Sequence, residues 1–416
     1  MESIIIEGGR KLSGEVKIQG SKNAGLPILA ACVLCRGEVI LHNVPNIGDV
    51  ETMLEILTSL GCKAQFSDNT VVIDSSDLTC GEVSEELMGK MRSSIMLMGA
   101  LIAVNKKVRF SYPGGCDIGL RPIDLHLSAF KNMGADISEQ GGFISVDGSD
   151  MRSAGILLDF PSVGATENII LSSVFTKGVT SVTNAAKEPE IIDLQNFLNS
   201  MGARVYGAGS NTVYIEGVEK LKGCEYTIIP DRIVTGTYMC AVSAASGDIF
   251  LRGARADHLK FPRHKLEESG LVVKDCTDGL RCIGKGEVKG LSSIITSVYP
   301  GFPTDMQPLF TAMLCKSEGV TIINETVFEN RYRYTSQLMR MGADIRIEDR
   351  IAVINGKKQL SGAKMISQDL RGGAALIIAA LGARGNSIIE GMDYVYRGYE
   401  NICGELRSLQ AEIKTI

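Results

Sequence analysis

Apolar and polar positions along the chain fall into one order six times over. A helical run of apolar residues ends in a bulky residue, a small residue and a turn: SLGCKA (59–64), NMGADI (132–137), SMGARV (200–205), ESGLVV (268–273), RMGADI (340–345) and SLQAEI (408–413). Gly stands at 61, 134, 202, 270 and 342 and Gln410 takes the sixth place, so successive spacings are 73, 68, 68, 72 and 68 residues. Glycine suits the residue just past a helix end, where the chain turns into a strand. Ahead of each marker lies a helix such as VETMLEILTSL (50–60) or IIDLQNFLNSM (191–201), with apolar residues at helical spacing.

Strands precede these helices. RGEVILHN (36–43), KGVTSVTN (177–184), SGDIFLRG (246–253), EGVTIINE (318–325) and RGNSIIEG (384–391) alternate β-branched and polar residues, with NKKVRFSYP (105–113) as the variant in repeat two. The first five markers lead into hairpins with turn residues between two strand-like runs. The sixth stops at AEIKTI, with one strand only, whereas residues 2–8 (ESIIIEG) resemble the missing second strand. The N-terminus is therefore expected to complete the last repeat. Six repeats of a strand-helix-strand-helix-hairpin unit predict an α/β or α+β protein with sheets facing helices. They divide into one domain over 21–229 and another over 230–416 plus 1–20.

Composition narrows the class. The chain has 416 residues, more than one core usually serves. Its net charge is −5 with no basic run, which argues against a nucleic-acid partner. The N-terminus lacks a charged-then-apolar signal pattern, and apolar stretches such as 374–383 are too short to span a bilayer, so a cytoplasmic protein without a membrane partner is expected. Eleven scattered cysteines suit a reducing compartment. Cys32 and Cys35 form one C-x-x-C inside an apolar helical stretch and are expected in the core. The histidines His42, His126, His258 and His264 show no ligand spacing, so no metal is expected.

Candidate chemistry gathers where helices begin. The six junctions QGSKNAG (19–25), GKMRSS (89–94), FPSVGAT (160–166), IPDRIVTG (229–236), YPGFPTDMQ (299–307) and SQDLRGG (367–373) occupy one place in the repeat. A helix N-terminus presents unpaired N–H groups and a positive dipole end, which favour anions. Here it also carries Lys22, Arg92, Arg232 and Arg371, with Ser21, Ser162 and Asp369 as expected N-caps. Each taken singly fits a cap or a surface charge; as a set they point to a shared cleft for a multiply charged anion. Asp305, an acid among basic positions, fits an N-cap or a general base. Arg121, Arg331 and Arg397 suit bidentate grip of phosphate or carboxylate, while Arg333 and Arg340 look like helix surface. In the Gly/Pro-rich loop SYPGGCDIGLRP (111–122), Cys116 fits either an incidental surface thiol or a reactive one stabilised by backbone N–H groups and Arg121.

The motifs GSKNA (20–24), PGGCDIGLRPIDLH (113–126), FPSVGATEN (160–168), AAKEPEIIDL (185–194), PDRIVTGT (230–237), YPGFPTDMQ (299–307), FENRY (328–332), DLRGGAAL (369–376) and RGYE (397–400) resemble those of the UDP-N-acetylglucosamine 1-carboxyvinyltransferases, the enolpyruvyl transferases of peptidoglycan synthesis. The resemblance implies an inside-out α/β barrel of two domains, each with threefold internal repetition. It implies transfer of the enolpyruvyl group of phosphoenolpyruvate to the 3′-hydroxyl of UDP-N-acetylglucosamine, with phosphate released through a tetrahedral intermediate and no cofactor. By the same resemblance Lys22, Arg121 and Arg397 would hold the phosphate and carboxylate of phosphoenolpyruvate, and Asn23 would contact both substrates. Cys116 would protonate the methylene carbon and be the target of the epoxide fosfomycin. Asp305 would take the proton of the sugar hydroxyl. Arg92, the run Arg121, Pro122, Ile123, Asp124 and Leu125, then Ser162, Val163, Gly164 and Val327, would line the UDP-sugar site, with Arg331, Asp369 and Arg371 supporting the closed cleft.

The chain departs from the family pattern at three places. Tyr396 stands where many members have an acid, Val234 where many have Glu, and Gly372 and Gly373 where an Ala/Ser pair is common. Two other functions fit the architecture: the sister synthase using shikimate 3-phosphate, and a non-catalytic paralogue that binds UDP-sugar. Cys116 and the FPTDMQ motif speak against the first, and the joint presence of Lys22, Cys116, Asp305 and Arg397 against the second. The oligomeric state is not legible, and a monomer is compatible with everything above.

Overall fold

The computed structural model describes all residues except Met1, Cys80, Gly81, Gly115–Asp117, Leu120 and Arg121. The chain forms two units, one of residues 1–19, 117–120 and 230–416, the other of 20–116 and 121–229. Each encloses buried helices within sheets.

In the unit of 20–116 and 121–229, the helices Lys22–Ala31, Met96–Asn105 and Val163–Ser173 form the centre. Met96–Asn105 packs against both of the others. Nearly all of their residues are apolar or small, so no face remains polar enough for solvent, and the helices are buried all round. In the unit of 1–19 and 230–416, Arg232–Ala245, Gln307–Leu314 and Leu370–Gly382 pack mutually in the same way and are buried along their whole length. The helices ending at the repeat markers, such as Gly48–Ser59 and Pro189–Ser200, are amphipathic, with buried and exposed positions interleaved.

The sheets that carry hairpin strands share one pattern. A long strand pairs antiparallel with the second strand of a hairpin, whose first strand lies at the edge. A short strand lies parallel on the other side, as in Gly155–Leu157 beside Val179–Thr183. In repeat two, among the described residues, a parallel bridge joins Glu82 to Arg109. In the sixth sheet the strand Ser3–Gly8 takes the place of the second hairpin strand. It pairs antiparallel with Gly385–Glu390 (Ile4 opposite Ile389) and with Glu412–Thr415 (Ile6 opposite Ile413). Its alternate residues Ile4 and Ile6 are fully buried, which fixes the register.

All six marker residues adopt a left-handed backbone, with φ of 97°, 101°, 101°, 107° and 89° at Gly61, Gly134, Gly202, Gly270 and Gly342 and 70° at Gln410. The sixth repeat thus keeps the turn without its glycine. The C-x-x-C lies in the core: Cys32 and Cys35 are buried free thiols, and Cys32 donates to the Ile28 carbonyl. Among the described residues no helix is long and apolar enough to cross a membrane.

Candidate active site

The residues singled out at helix starts fall into two groups, one in each unit. In the unit of 20–116 and 121–229, Lys22 opens its helix behind Ser21, whose hydroxyl accepts from the Ala24 N–H at 3.3 Å. The Lys22 ammonium lies 3.0 Å from Asp49 Oδ2, in the first turn of Gly48–Ser59. Asp49 is buried, and an isolated buried carboxylate is costly, so the pair holds the lysine at the helix mouth. Asn23 is half-buried next to it.

Arg92, Pro122, Ile123, Asp124, Leu125, Ser162, Val163 and Gly164 are brought together by three helix starts. Arg92 begins a 3-10 turn (Arg92–Ile95) ahead of Met96–Asn105, and its Nη2 donates to the Pro122 carbonyl at 3.4 Å. Pro122 and Ile123 lead into the helix Asp124–Asn132, with Ile123 buried and Asp124 exposed. Ser162 caps Val163–Ser173 by accepting from the Ala165 N–H at 3.3 Å.

One buried amide ties the three starts. Asn168 Oδ1 accepts from the Gly99 N–H at 2.7 Å, and its Nδ2 lies 3.1 Å from the Ile95 carbonyl and 2.9 Å from His126 Nδ1. The donating amide makes that ring nitrogen an acceptor, so the proton of the neutral ring sits on Nε2. Burial, then the nearby Arg92 charge, depress the His126 pKa to about 4, which keeps the ring neutral. A Cβ at Gly164 would come within 2.9 Å of Met96 Cε and 3.2 Å of His126 Cε1; the absent side chain lets the imidazole close on the helix start. Beneath the same helix Glu167, Glu188 and Glu190 are all buried. Burial first, then the charges of Glu190 and Glu188, push the Glu167 pKa well above the usual carboxylate range.

In the unit of 1–19 and 230–416, Asp305 lies in the 3-10 turn Thr304–Met306 before Gln307–Leu314. Of its two expected roles, the N-cap is absent: no side chain caps this turn, and the carboxylate is turned to two guanidiniums instead. Oδ1 accepts from Arg331 Nη2 at 2.8 Å, and Oδ2 from Arg371 Nη2 at 3.2 Å and Nε at 3.3 Å. The arginine side chains are 3% and 4% exposed against 29% for Asp305, so the acid is the open end of a desolvated cluster. Burial works against the Arg371 charge, but Tyr399, Asp305 and Asp231 outweigh it and raise its pKa above the ordinary value. Arg371 Nη1 also reaches the Tyr399 hydroxyl at 3.2 Å, which lies 2.8 Å from Thr237 Oγ1.

Asp369 caps Leu370–Gly382, accepting from the N–H groups of Arg371 at 3.0 Å and Gly372 at 2.8 Å. Cβ atoms at Gly372 and Gly373 would lie 2.4 Å from Asp369 Oδ2 and 2.3 Å from Ser367 Oγ, so this chain's packing accounts for the glycine pair. Arg397 is half-buried after the short helix Asp393–Tyr396. Tyr396, in place of an acid, donates its hydroxyl to the Glu2 carboxylate at 2.8 Å, so an acid reaches this position from the chain's start. Val234 is buried, its N–H donating to the Asp231 cap at 3.0 Å.

Sequence reasoning missed Glu325. This fully buried carboxylate accepts from Thr296 at 3.0 Å, Thr304 at 2.9 Å and the N–H groups of Val327 at 2.8 Å and Phe328 at 3.2 Å. It joins the turn bearing Asp305 to the loop bearing Val327 and Arg331. An acid directly after the apolar strand VTIIN was its only signal. Asp231 as the cap of Arg232–Ala245 and the Asn168–His126 pair were missed as well. Arg333 and Arg340 are exposed. Cys116 and Arg121 lie outside the described residues. Among the described residues no group of three or more His, Cys, Asp or Glu side chains could hold a metal ion.

The family model for EPSP synthase (3-phosphoshikimate 1-carboxyvinyltransferase) matches residues 6–406. The UDP-N-acetylglucosamine 1-carboxyvinyltransferase 2 of Caldanaerobacter subterraneus subsp. tengcongensis is 51% identical over 99% of both chains. The UDP-N-acetylglucosamine 1-carboxyvinyltransferase 1 of Carboxydothermus hydrogenoformans is 45% identical over 100% of this chain and 99% of its own. Among solved structures, the enolpyruvyl transferase NikO from Streptomyces tendae superposes with a TM-score of 0.89 at 25% identity, covering 100% of this chain and 99% of its own. With its sixfold repeat, its caps and its basic helix starts, the chain belongs to the EPSP synthase family and, within it, to the UDP-N-acetylglucosamine 1-carboxyvinyltransferases.

Proposed function

We propose that the protein transfers the enolpyruvyl group of phosphoenolpyruvate to the 3′-hydroxyl of UDP-N-acetylglucosamine and releases phosphate, supplying peptidoglycan precursor synthesis in the cytoplasm. The observation that carries this reading is Asp305: a carboxylate with one open side, held between two buried guanidiniums. Two cations keep such an acid ionised, and the open side lets it accept a proton from a bound hydroxyl.

The steps follow from these groups. The sugar hydroxyl oxygen adds to C2 of phosphoenolpyruvate as Asp305 accepts its proton, and Cys116 gives a proton to the methylene carbon. A tetrahedral intermediate carries both the sugar ether and the phosphate on C2. A methyl proton returns to the Cys116 thiolate and the double bond re-forms as the C2–O bond to phosphate breaks, the departing phosphate taking the proton held on Asp305. Lys22, Arg121 and Arg397 balance the phosphate and carboxylate charges throughout, where fixed cations stabilise the charge that develops. Asn23 contacts both substrates. Arg92, Arg121, Pro122, Ile123, Asp124, Leu125, Ser162, Val163, Gly164 and Val327 bind the UDP-sugar, while Arg331, Asp369 and Arg371 fix the groups around Asp305.

Phosphate release from phosphoenolpyruvate is measured with UDP-N-acetylglucosamine and, separately, with shikimate 3-phosphate. Release with the first and its loss in Cys116→Ala, with UDP-sugar binding retained, is the expected result. Release with shikimate 3-phosphate alone would overturn the reading.

A further inference from the structure

Gln19 is the last residue of its unit before the chain passes to Gly20, and none of the roles above uses it. The residue is buried, 6% exposed. The amide grips the backbone of the RGYE loop at two points: Nε2 donates to the Gly398 carbonyl at 3.1 Å, and Oε1 accepts from the Glu400 N–H at 2.9 Å. Donor faces acceptor and acceptor faces donor, as along a strand pair, so only one amide orientation satisfies both.

The N–H groups of Gly398 and Tyr399 both turn back to the Val395 carbonyl at 3.1 Å, closing the helix end. The Gly398 carbonyl and the Glu400 N–H point the other way, to Gln19. Gly398 is pressed on Leu370, where a Cβ would lie 2.7 Å from Cδ2, so the loop is gripped on one side and packed on the other. Gln19 also accepts from the Asp231 N–H through its own carbonyl at 2.9 Å. Two residues of the proposed reaction belong to or adjoin the gripped segment. Arg397 directly precedes Gly398. Tyr399, between the two anchored residues, holds Arg371 at 3.2 Å, and Arg371 holds Asp305.

We infer that Gln19 is a positioning residue for enolpyruvyl transfer, fixing Arg397 and Tyr399 through the backbone at Gly398 and Glu400. The inference rests on the reading under Proposed function, since it assigns the loop's task from that reaction. Its effect on binding belongs to phosphoenolpyruvate, which Arg397 would hold; through Tyr399, Arg371 and Asp305 it reaches the sugar hydroxyl only in proton transfer, which kcat carries and the KM for the UDP-sugar does not.

The test is steady-state phosphate release by the full chain, wild type beside Gln19→Ala and Gln19→Glu, with each substrate varied in turn. Gln19→Ala removes the amide from the Gly398 carbonyl and the Glu400 N–H, and kcat/KM for phosphoenolpyruvate is expected to fall about tenfold or more. KM for UDP-N-acetylglucosamine is expected to stay within about twofold, as an interaction remote from that substrate should leave it. In Gln19→Glu the carboxylate keeps the bond from Glu400 but sets an oxygen against the Gly398 carbonyl; its protonated form can donate again. Its deficit against wild type should therefore shrink as pH falls toward the carboxylic acid range, a recovery that general loss of structure does not produce. Amide hydrogen exchange over residues 397–401 should quicken in Gln19→Ala whether or not the protein turns over. A wild type without turnover refutes the reaction and with it the positioning role, while exchange still reports on the grip itself. With wild type active, variants matching its KM for phosphoenolpyruvate at every pH overturn the inference. So does an equal change for both substrates accompanied by a lower Tm. Should Gln19→Ala fail to fold, the pH profile of Gln19→Glu decides.

Discussion

Removing the Asp305 carboxylate is the sharpest perturbation the structure offers. Asp305→Ala takes one acceptor from Arg331 at 2.8 Å and another from Arg371 at 3.2 Å. Breaking a fully buried ion pair from one side costs about 3–5 kcal/mol, because the remaining charge is desolvated and unpaired. An exposed pair is worth about 0–1 kcal/mol. Here the arginines are buried but the acid is 29% exposed, so the cost lies between these limits. Two charge-assisted contacts at about 1.5 kcal/mol each give about 3 kcal/mol for the site. The loss is limited because Arg331 Nη2 keeps the Thr304 carbonyl at 3.2 Å and Arg371 keeps Tyr399. Denaturant unfolding of wild type, Asp305→Ala, Arg331→Met and the double variant measures it, and the cycle isolates the Asp305–Arg331 coupling at about 1.5 kcal/mol. On activity, loss of a general base lowers kcat by about 10²–10⁴ while UDP-sugar binding persists. A loss of stability below about 1 kcal/mol with no coupling to Arg331 would refute the reasoning, since that is the behaviour of a solvated pair.

Two further predictions rest on burial and on backbone conformation. Glu167 has a folded pKa raised above its ordinary value, so its ionisation works against the fold: its contribution is intact below about pH 4.5 and lost as pH rises. Glu167→Gln should therefore have a higher Tm than wild type at pH 8 and lose that advantage as pH falls toward about 4.5; an advantage that grows on acidification would reverse the sign argued here. At Gly202 a Cβ would meet nothing within 4 Å, so Gly202→Ala should cost only the left-handed backbone term, about 1–2 kcal/mol. Gly61→Ala adds a Cβ 2.6 Å from the Asp77 carbonyl and should cost more; equal losses in chemical denaturation would remove the distinction.

The repeats are legible because each is specified by local chemistry. A helix that must turn into a hairpin needs one residue at positive φ, and glycine at that place recurs five times. Gln410 shows that the turn survives without the signal, since neighbouring packing can hold a strained residue. The N-terminal strand is legible for a different reason: Ile4 and Ile6 alternate with Ile5 as a half-buried strand does, and the last hairpin lacks a strand.

The chemistry divides along the same line. Lys22, Arg92, Asp305, Asp369 and Arg371 stand out in sequence because helix starts have a recognisable local grammar of caps and turns. What each of them touches is set by chain passages far away. Lys22 meets Asp49 across 27 residues, Arg371 meets Asp305 across 66, and Gln19 meets Gly398 across 379. No periodicity encodes such pairs; only the folded chain brings them together. Glu325 makes the point most plainly. In sequence it is an acid after a strand, indistinguishable from a solvated charge, yet four donors converge on it and join the Asp305 turn to the Arg331 loop. Desolvating a carboxylate is tolerable only when its oxygens are so filled, and filling them is what ties the two loops together. The cost of burying Glu325 and the rigidity around Asp305 are therefore one property of the fold, and a Glu325→Ala variant, which takes the acceptor from the Val327 and Phe328 N–H groups and from Thr304, must loosen both together.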